Sequence, residues 1–269
     1  MNEQKVILIT GATDGIGLLT ASQLAKQGHR VLVHGRNPDK LAKVVEALNQ
    51  EHNTTLTAFI ADLSVLSDVQ RLIEQVSAML GETPLDVLIN NAGIFNAPAD
   101  KTPDGLDIRF AVNTVAPYLL TKGLLPLMPA HGRVVNLSSA AQASVSIDAL
   151  QGKGHLSDRE AYAQSKLAIT MWSRALGEAH RRTGPMIVSV NPKSLLGSKM
   201  VKEAFGIAGG DLSLGADILV SASLDDAFSD AGGRYYDNDI EAFAQPHPDA
   251  LDDRKVQAVI EAIEGIVER

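Results

Sequence analysis

Tyr162-Ala163-Gln164-Ser165-Lys166 sets a phenol and an ammonium four residues apart at the start of a predicted helix. Side chains at i and i+4 share a helix face, so both can enter one cleft. A free tyrosine, with a pKa of about 10, is a poor acid–base catalyst near neutrality, but a nearby positive charge favours its phenolate. So placed, Tyr162 can protonate a forming alkoxide or take the proton from an alcohol. Alone, the spacing equally describes a tyrosine anchored beside an exposed lysine. Upstream, GRVVNLSS puts Ser138 and Ser139 at the C-terminal end of a predicted strand, where open α/β sheets bind ligands. A hydroxyl there can donate to a substrate oxygen as it gains charge. Ser139 is assigned that work, and Ser138 a turn or capping role.

A second constellation suits an anion. The apolar run KVILIT leads into Gly11-Ala12-Thr13-Asp14-Gly15-Ile16-Gly17 and then an apolar helix. Glycines allow a tight turn and close backbone approach, and the helix start presents free N–H groups and positive dipole to a pyrophosphate. The spacing is G-x-x-x-G-x-G, and a ligand-free strand-to-helix turn is the competing reading. After the second strand, an acid would bind a ribose 2′-hydroxyl, whereas an arginine accommodates a 2′-phosphate. Here the residues are His34-Gly35-Arg36-Asn37. Arg36 therefore predicts a preference for NADP(H), with NAD(H) possible and with the negative charge of Asp14 expected to moderate it.

The elements that must position these groups alternate. Strands are predicted at 5–10, 30–35, 55–60, 85–90, 132–137, 186–191 and 233–237. Helices are predicted at 16–27, 38–50, 67–80, 106–129, 158–183 and about 250–267. Near-continuous apolar strands between amphipathic helices predict one α/β domain over 1–269: a doubly wound, mostly parallel, seven-stranded Rossmann-type sheet with helices on both faces. Two irregular segments, 142–157 and 192–210, follow strand ends and are predicted to be substrate loops.

Composition narrows the function classes. The chain has 269 residues, 45% hydrophobic and 21% charged, with net charge −8. That charge argues against nucleic acid, whose phosphates call for clustered Lys and Arg. No cysteine is present, which removes disulfides and thiolate chemistry, and the seven histidines lack metal-ligand spacing. No apolar run is long enough for a membrane span. The opening MNEQKVILITG runs into a strand, so no signal peptide and a cytoplasmic setting are expected.

Taken together, these motifs resemble the short-chain dehydrogenase/reductase family. The TGxxxGxG turn is Thr10 to Gly17, the adenine-contacting acid is Asp62 in IADLS, and NNAG is Asn90-Asn91-Ala92-Gly93. Asn113 in RFAVNT, Ser139 and Tyr162-x-x-x-Lys166 follow in family order. The resemblance implies an oxidoreductase, a carbonyl reductase (ketoreductase) or alcohol dehydrogenase, acting on a ketone, aldehyde or secondary alcohol. Ser139 would polarise the carbonyl, and Tyr162 would be the acid/base. Lys166 would hold the nicotinamide ribose and lower the Tyr162 pKa. Asn113 would hold a relay water. Gly11, Thr13, Asp14, Gly15, Ile16, Gly17, Arg36, Asp62, Leu63, Asn91, Ala92, Gly93, Tyr162, Lys166 and the Leu195 backbone would contact the cofactor. The long gap between Ser139 and Tyr162, LSDREAYAQSKLA and PHPDALD resemble the retinol-dehydrogenase-like branch, which includes reductases of bulky apolar carbonyl compounds. Family habit also implies a homodimer or homotetramer through the helices at 106–129 and 158–183.

One position departs from the pattern. Where the family has Pro-Gly after the sixth strand, this chain has Pro192-Lys193. Either the loop is rearranged, or Lys193 brings a charge to the substrate mouth, or its side chain points to solvent. The family threonine downstream aligns with Gly197 or Ser198. A weakly catalytic dinucleotide-binding regulator is one alternative. A sugar-nucleotide epimerase or dehydratase is another, disfavoured by Arg36 and by the lack of a sizeable C-terminal substrate domain.

Overall fold

Short apolar strands that alternate with helices bury both faces of a parallel sheet only if helices are laid on each side. The computed structural model describes residues 3–268. Its elements are β1 (Val6–Ile9), α1 (Gly15–Lys26), β2 (Arg30–Gly35), α2 (Pro38–His52), β3 (Thr57–Ile60), α3 (Leu66–Leu80) and β4 (Val87–Asn90). Then come α4 (Ile108–Phe110), a π-helical segment (Ala111–Val115), α5 (Ala116–Leu124), β5 (Arg133–Leu137), α6 (Ile147–Leu150) and α7 (Asp158–His180). The chain closes with β6 (Met186–Asn191), α8 (Lys199–Phe205), α9 (Ser213–Leu224), β7 (Tyr235–Asp237), β8 (Ala242–Ala244) and α10 (Asp253–Val267).

The strand order is β3-β2-β1-β4-β5-β6-β7-β8. Six neighbouring pairs are parallel and β7–β8 is antiparallel. The sheet thus has eight strands, not the seven predicted. β8 is a three-residue return, too short to read as a strand, and Phe243 holds it by packing 5.3 Å from the Phe228 ring. The order reverses between β1 and β4, which opens a crevice at the strands' C-terminal ends. Successive strand residues serve opposite cores: Ile7, Ile9, Val33 and Ile89 face one, and Leu8, Leu32 and Leu88 the other.

Three differences from the predicted elements have local causes. Helix α9 was not predicted; it buries Ala216, Ile218, Leu219 and Ala222 but is apolar around much of its circumference, so it shows no clear helical stripe. The stretch predicted as one helix over 106–129 is broken, with the π-helical segment between α4 and α5. Pro117 lacks the N–H that would reach the Asn113 carbonyl in a regular α-helix. Within the 142–157 segment only α6 forms, and it packs Ala149 and Leu150 into a third core, which also holds Val256, Val259 and Ile263 of α10.

The same third core covers α7. Leu167, Ala168, Met171 and Trp172 pack with Val256, Val259, Ala262, Ile263 and Ile266, and the Tyr118 hydroxyl of α5 donates to Glu264 at 2.7 Å. α10 of the same chain therefore covers this face of α7. Among the described residues no helix is long and apolar enough to cross a membrane.

Candidate active site

The strand reversal places the glycine turn and the NNAG segment side by side. Gly11 has φ +67°, and a Cβ there would sit 2.8 Å from the Ala92 Cα. At Gly17 a Cβ would fall 2.3 Å from both the Asn91 Nδ2 and the Gly11 carbonyl oxygen. Only glycine fits either position. The Asn91 amide fastens the turn by donating to the carbonyls of Thr10 (2.8 Å) and Gly11 (3.1 Å). Thr10 Oγ1 in return accepts from the Asn91 and Ala92 amides.

His34, unremarked at the sequence level, also shapes the turn. The Gly11 N–H donates to its Nδ1 at 3.3 Å, and its Nε2 lies 3.1 Å from the Ala61 carbonyl oxygen. This pairing calls for a neutral ring protonated at Nε2. Burial favours that form by pushing the imidazole pKa down. A charged ring would turn an N–H against the Gly11 N–H.

A cavity of about 480 Å³ runs along the crevice. Gly11, Thr13, Asp14, Gly15, Ile16, Gly17, Arg36, Asp62, Leu63, Asn91, Ala92, Gly93, Tyr162 and Lys166 all line it. At one end Arg36 is largely exposed, and its Nη1 lies 3.9 Å from Asp62 Oδ2. The other Asp62 oxygen accepts from the Ser64 amide and hydroxyl. Asp14 caps α1 by accepting from the Gly15 N–H, and its carboxylate meets Lys40 Nζ at 2.6 Å. The Lys40 hydrogen bond holds the Asp14 carboxyl below its usual range. The negative charge inside the turn is thus offset by a lysine two residues into α2's first turn.

At the other end, α7 begins with a reciprocal Ser157–Glu160 capping box, which fixes where its first turns lie. Tyr162 is partly exposed to the cleft; its ring packs 4.9 Å from that of Phe95, and the Ser139 side chain lies close enough to its phenol to favour the phenolate. Lys166 is 4% exposed; its Nζ donates to the Leu137 carbonyl at 2.8 Å and sits 5.7 Å from the Tyr162 ring centre. Ser138 Oγ donates to the Lys166 carbonyl at 3.1 Å and pairs with Thr170 Oγ1 at 2.6 Å, tying the end of β5 to α7 instead of capping a turn, and it is Ser138, not Ser139, that is among the cavity-lining residues. Ser139 is held through its carbonyl, which accepts from Gln142 Nε2 (2.9 Å) and the Tyr235 hydroxyl (3.2 Å). Asn113 lies one layer behind the wall, 1% exposed. Its Oδ1 accepts from the Ile94 N–H, and its Nδ2 donates to Ser165 Oγ at 3.0 Å.

The electrostatics differ from expectation in one respect. Burial is the largest influence on the Tyr162 phenol and pushes its pKa up, with the Ser139 side chain acting the other way. Burial also pulls the Lys166 ammonium down to about 8. With its Nζ turned to Leu137, Lys166 does not bring the phenol down in this arrangement.

Leu195 does not line the cavity. It is half exposed with φ +52°, and its carbonyl accepts from the Gly210 N–H at 2.8 Å. From the 192–210 segment, Pro192, Ser198, Lys199, Met200 and Glu203 line it instead, and nothing from 142–157 does. Sequence reasoning also missed Ile94, Phe95 and Asn96, which line the cleft directly after NNAG; the motif gave no cue beyond adjacency.

Lys193 resolves simply. Its backbone keeps φ +122°, a conformation suited to glycine, so the loop has not rearranged around the larger residue. The ammonium reaches the Asn238 carbonyl (3.3 Å) and lies 4.0 Å from Glu241, and Lys193 is not among the cavity-lining residues. Strain of this kind costs roughly 1–3 kcal/mol. Lys193→Gly is expected to raise Tm by about 3 °C and to leave kinetics unchanged for cofactor and substrate. A lower Tm on thermal unfolding would show that the lysine contacts outweigh the strain.

A glycine cradle at a helix N-terminus, with a phenol and an ammonium along the same crevice, fits a dinucleotide lying across the sheet's switch point. Comparison with known proteins agrees. The short chain dehydrogenase family model matches residues 5–206. Human polyprenol dehydrogenase is 36% identical over 178 residues, covering 63% of this chain and 53% of that protein. Retinol dehydrogenase 12 of Bos taurus is 35% identical over 206 residues, covering 75% of this chain and 64% of its own length. This chain therefore spans about half to two thirds of those relatives. A short chain dehydrogenase from Escherichia coli complexed with NADPH superposes with a TM-score of 0.70 at 27% identity, covering 87% of this chain and 96% of that one. Fold, cradle and family match converge on one statement: the chain belongs to the retinol-dehydrogenase-like branch of the short-chain dehydrogenase/reductases, oxidoreductases that bind nicotinamide dinucleotides.

Proposed function

We propose that this protein is an NADP(H)-dependent carbonyl reductase acting on apolar ketones or aldehydes. The observation that carries the reading is that Tyr162, with Ser139 beside its phenol, and Lys166 stand at one end of a cleft whose other end carries the glycine cradle and Arg36. Retinol and polyprenol appear in the names of two relatives, and Ile94, Phe95 and Met200 give the cleft apolar lining suited to such compounds.

The turn from Gly11 to Gly17 and the start of α1 would hold the pyrophosphate, Asp62 and Leu63 the adenine, and Asn91 to Gly93 the adjoining ribose. Lys166 would hold the nicotinamide ribose. When bound, the nicotinamide supplies the hydride. The residues supply the rest: the Ser139 hydroxyl donates to the carbonyl oxygen, and Tyr162 gives its phenolic proton to that oxygen as it becomes an alkoxide. A phenol pushed up by burial is protonated at neutral pH, the form reduction calls for and alcohol oxidation does not. Lys166 would return a proton to the phenolate, and Asn113, anchored by Ile94 and Ser165, would hold the water that relays it from solvent. NADPH oxidation with a panel of aromatic and aliphatic ketones tests the whole reading. Absence of turnover with every ketone would favour a binding protein.

Arg36 is proposed to fork onto the 2′-phosphate, with Lys40 keeping Asp14 from repelling it. Arg36→Ala should weaken NADPH binding by roughly 10- to 100-fold, the worth of a charge-assisted contact, and NADH binding hardly at all. Equal losses for both cofactors in fluorescence titration would refute the assignment.

A further inference from the structure

Arg109 is fully buried, and a buried guanidinium must be paired to be tolerated. Its Nε and Nη2 donate to the two Asp107 carboxylate oxygens at 2.9 and 2.8 Å. Its Nη1 donates to Asp158 Oδ1 at 2.5 Å, and Nη2 also lies 3.6 Å from Asp100. One planar fork thus gathers carboxylates from three parts of the chain. Asp100 lies on the segment returning from Ile94, Phe95 and Asn96 of the cleft wall. Asp107 caps α4, where its Oδ1 also accepts from the Arg109 N–H. Asp158 is the first residue of α7.

The spacing ties this cluster to the site. Asn113 lies four residues beyond Arg109 and Tyr162 four beyond Asp158, so each stands one helical turn from an end of the ion pair. The two site residues are themselves joined through Ser165, which accepts from Asn113 and donates to the Tyr162 carbonyl at 2.7 Å. Between Arg109 and Asn113 the helix widens into the π-helical segment, whose register is not fixed by ordinary α-helical bonds. An anchor just before it sets how far the two helices can slide along each other.

We infer that Arg109 is a positioning residue: its clamp on Asp107 and Asp158 fixes the register of α7 against the π-helical segment, and through it the place of Tyr162 beside Ser139 and Asn113. The inference rests on the reductase reading of the cleft. Asp158 is the member to change, because its side chain is half exposed and its loss leaves Arg109 paired with Asp107.

Asp158→Asn should lower kcat on the order of 10-fold, as displacement of a reacting group by a fraction of an ångström does. NADPH affinity is expected to stay at the wild-type value, Tm within about 3 °C. Asp158→Glu should restore part of the rate. A second readout needs no turnover: with ¹³C-labelled tyrosine, the Tyr162 resonance, assigned by Tyr162→Phe among four tyrosines, should move in Asp158→Asn while that of Tyr236 stays. Unchanged kcat and an unmoved Tyr162 resonance at normal Tm would overturn the clamp, as would a rate loss that merely follows the unfolded fraction. A wild-type protein without turnover, but with the Tyr162 resonance moved in Asp158→Asn, would overturn the reductase reading and leave the clamp standing.

Discussion

Tyr162→Phe is expected to lower kcat for ketone reduction by about 10³-fold, within the range a positioned proton donor contributes. The substitution removes one hydroxyl and keeps the ring that packs on Phe95 at 4.9 Å, so the cleft wall should survive. NADPH affinity should therefore change by less than about 2-fold, which separates a lost proton transfer from lost binding. Residual turnover near the wild-type level would mean that another group or water delivers the proton. The wild-type pH profile gives an independent check. Below pH 8 Lys166 carries its charge, and as pH rises through its value of about 8 that charge is lost. The reductive kcat/KM should accordingly be flat near neutrality and fall above about pH 8. A rate that climbs through that range would point to a required phenolate, and so to oxidation as the favoured direction.

Lys166→Met should abolish measurable turnover while making the protein more stable, a pairing that a merely structural lysine would not produce. The ammonium is 4% exposed and its pKa falls from 10.5 to about 8 on folding, so keeping it charged at pH 7 costs roughly 3 kcal/mol. The sign follows from proton counting. Between pH 8 and 10.5 the unfolded chain binds the proton and the folded one does not, so wild-type stability rises with pH across that window; below it the full cost is present. Methionine keeps the apolar stem but leaves the Leu137 carbonyl without its donor, which returns about 1–3 kcal/mol. A net gain on the order of 1 kcal/mol at pH 7, or about 2–4 °C in Tm, is expected. The gain should shrink as the pH is raised toward 10. Destabilisation at pH 7 that persists at pH 10 would show that the hydrogen bond outweighs the desolvation.

Much of this molecule was legible in order along the chain. Apolar strands of four to six residues, separated by helical stretches, point to a parallel sheet with helices on both faces, because strands buried on both sides must be covered on both. The glycine turn was legible because Gly11 and Gly17 sit where any side chain would strike Ala92 or Asn91, a constraint that leaves its mark on residue type. The Tyr162 and Lys166 pair was legible because both lie on one helix, at one spacing.

What the chain order left undecided depends on contacts between segments distant in sequence. The π-helical segment, the burial that sets the Tyr162 and Lys166 proton affinities, and the buried fork of Arg109 each arise from elements packed together from afar. Nothing local marks Ala149 and Leu150 as core residues or Phe95 as the cleft wall; α10, about a hundred residues further along the chain, covers the first two. That helix also covers one face of α7. Pattern and spacing fix which elements form, since those are properties of neighbours in the chain. Which faces are buried, and so which charges are costly, is a property of the assembled whole.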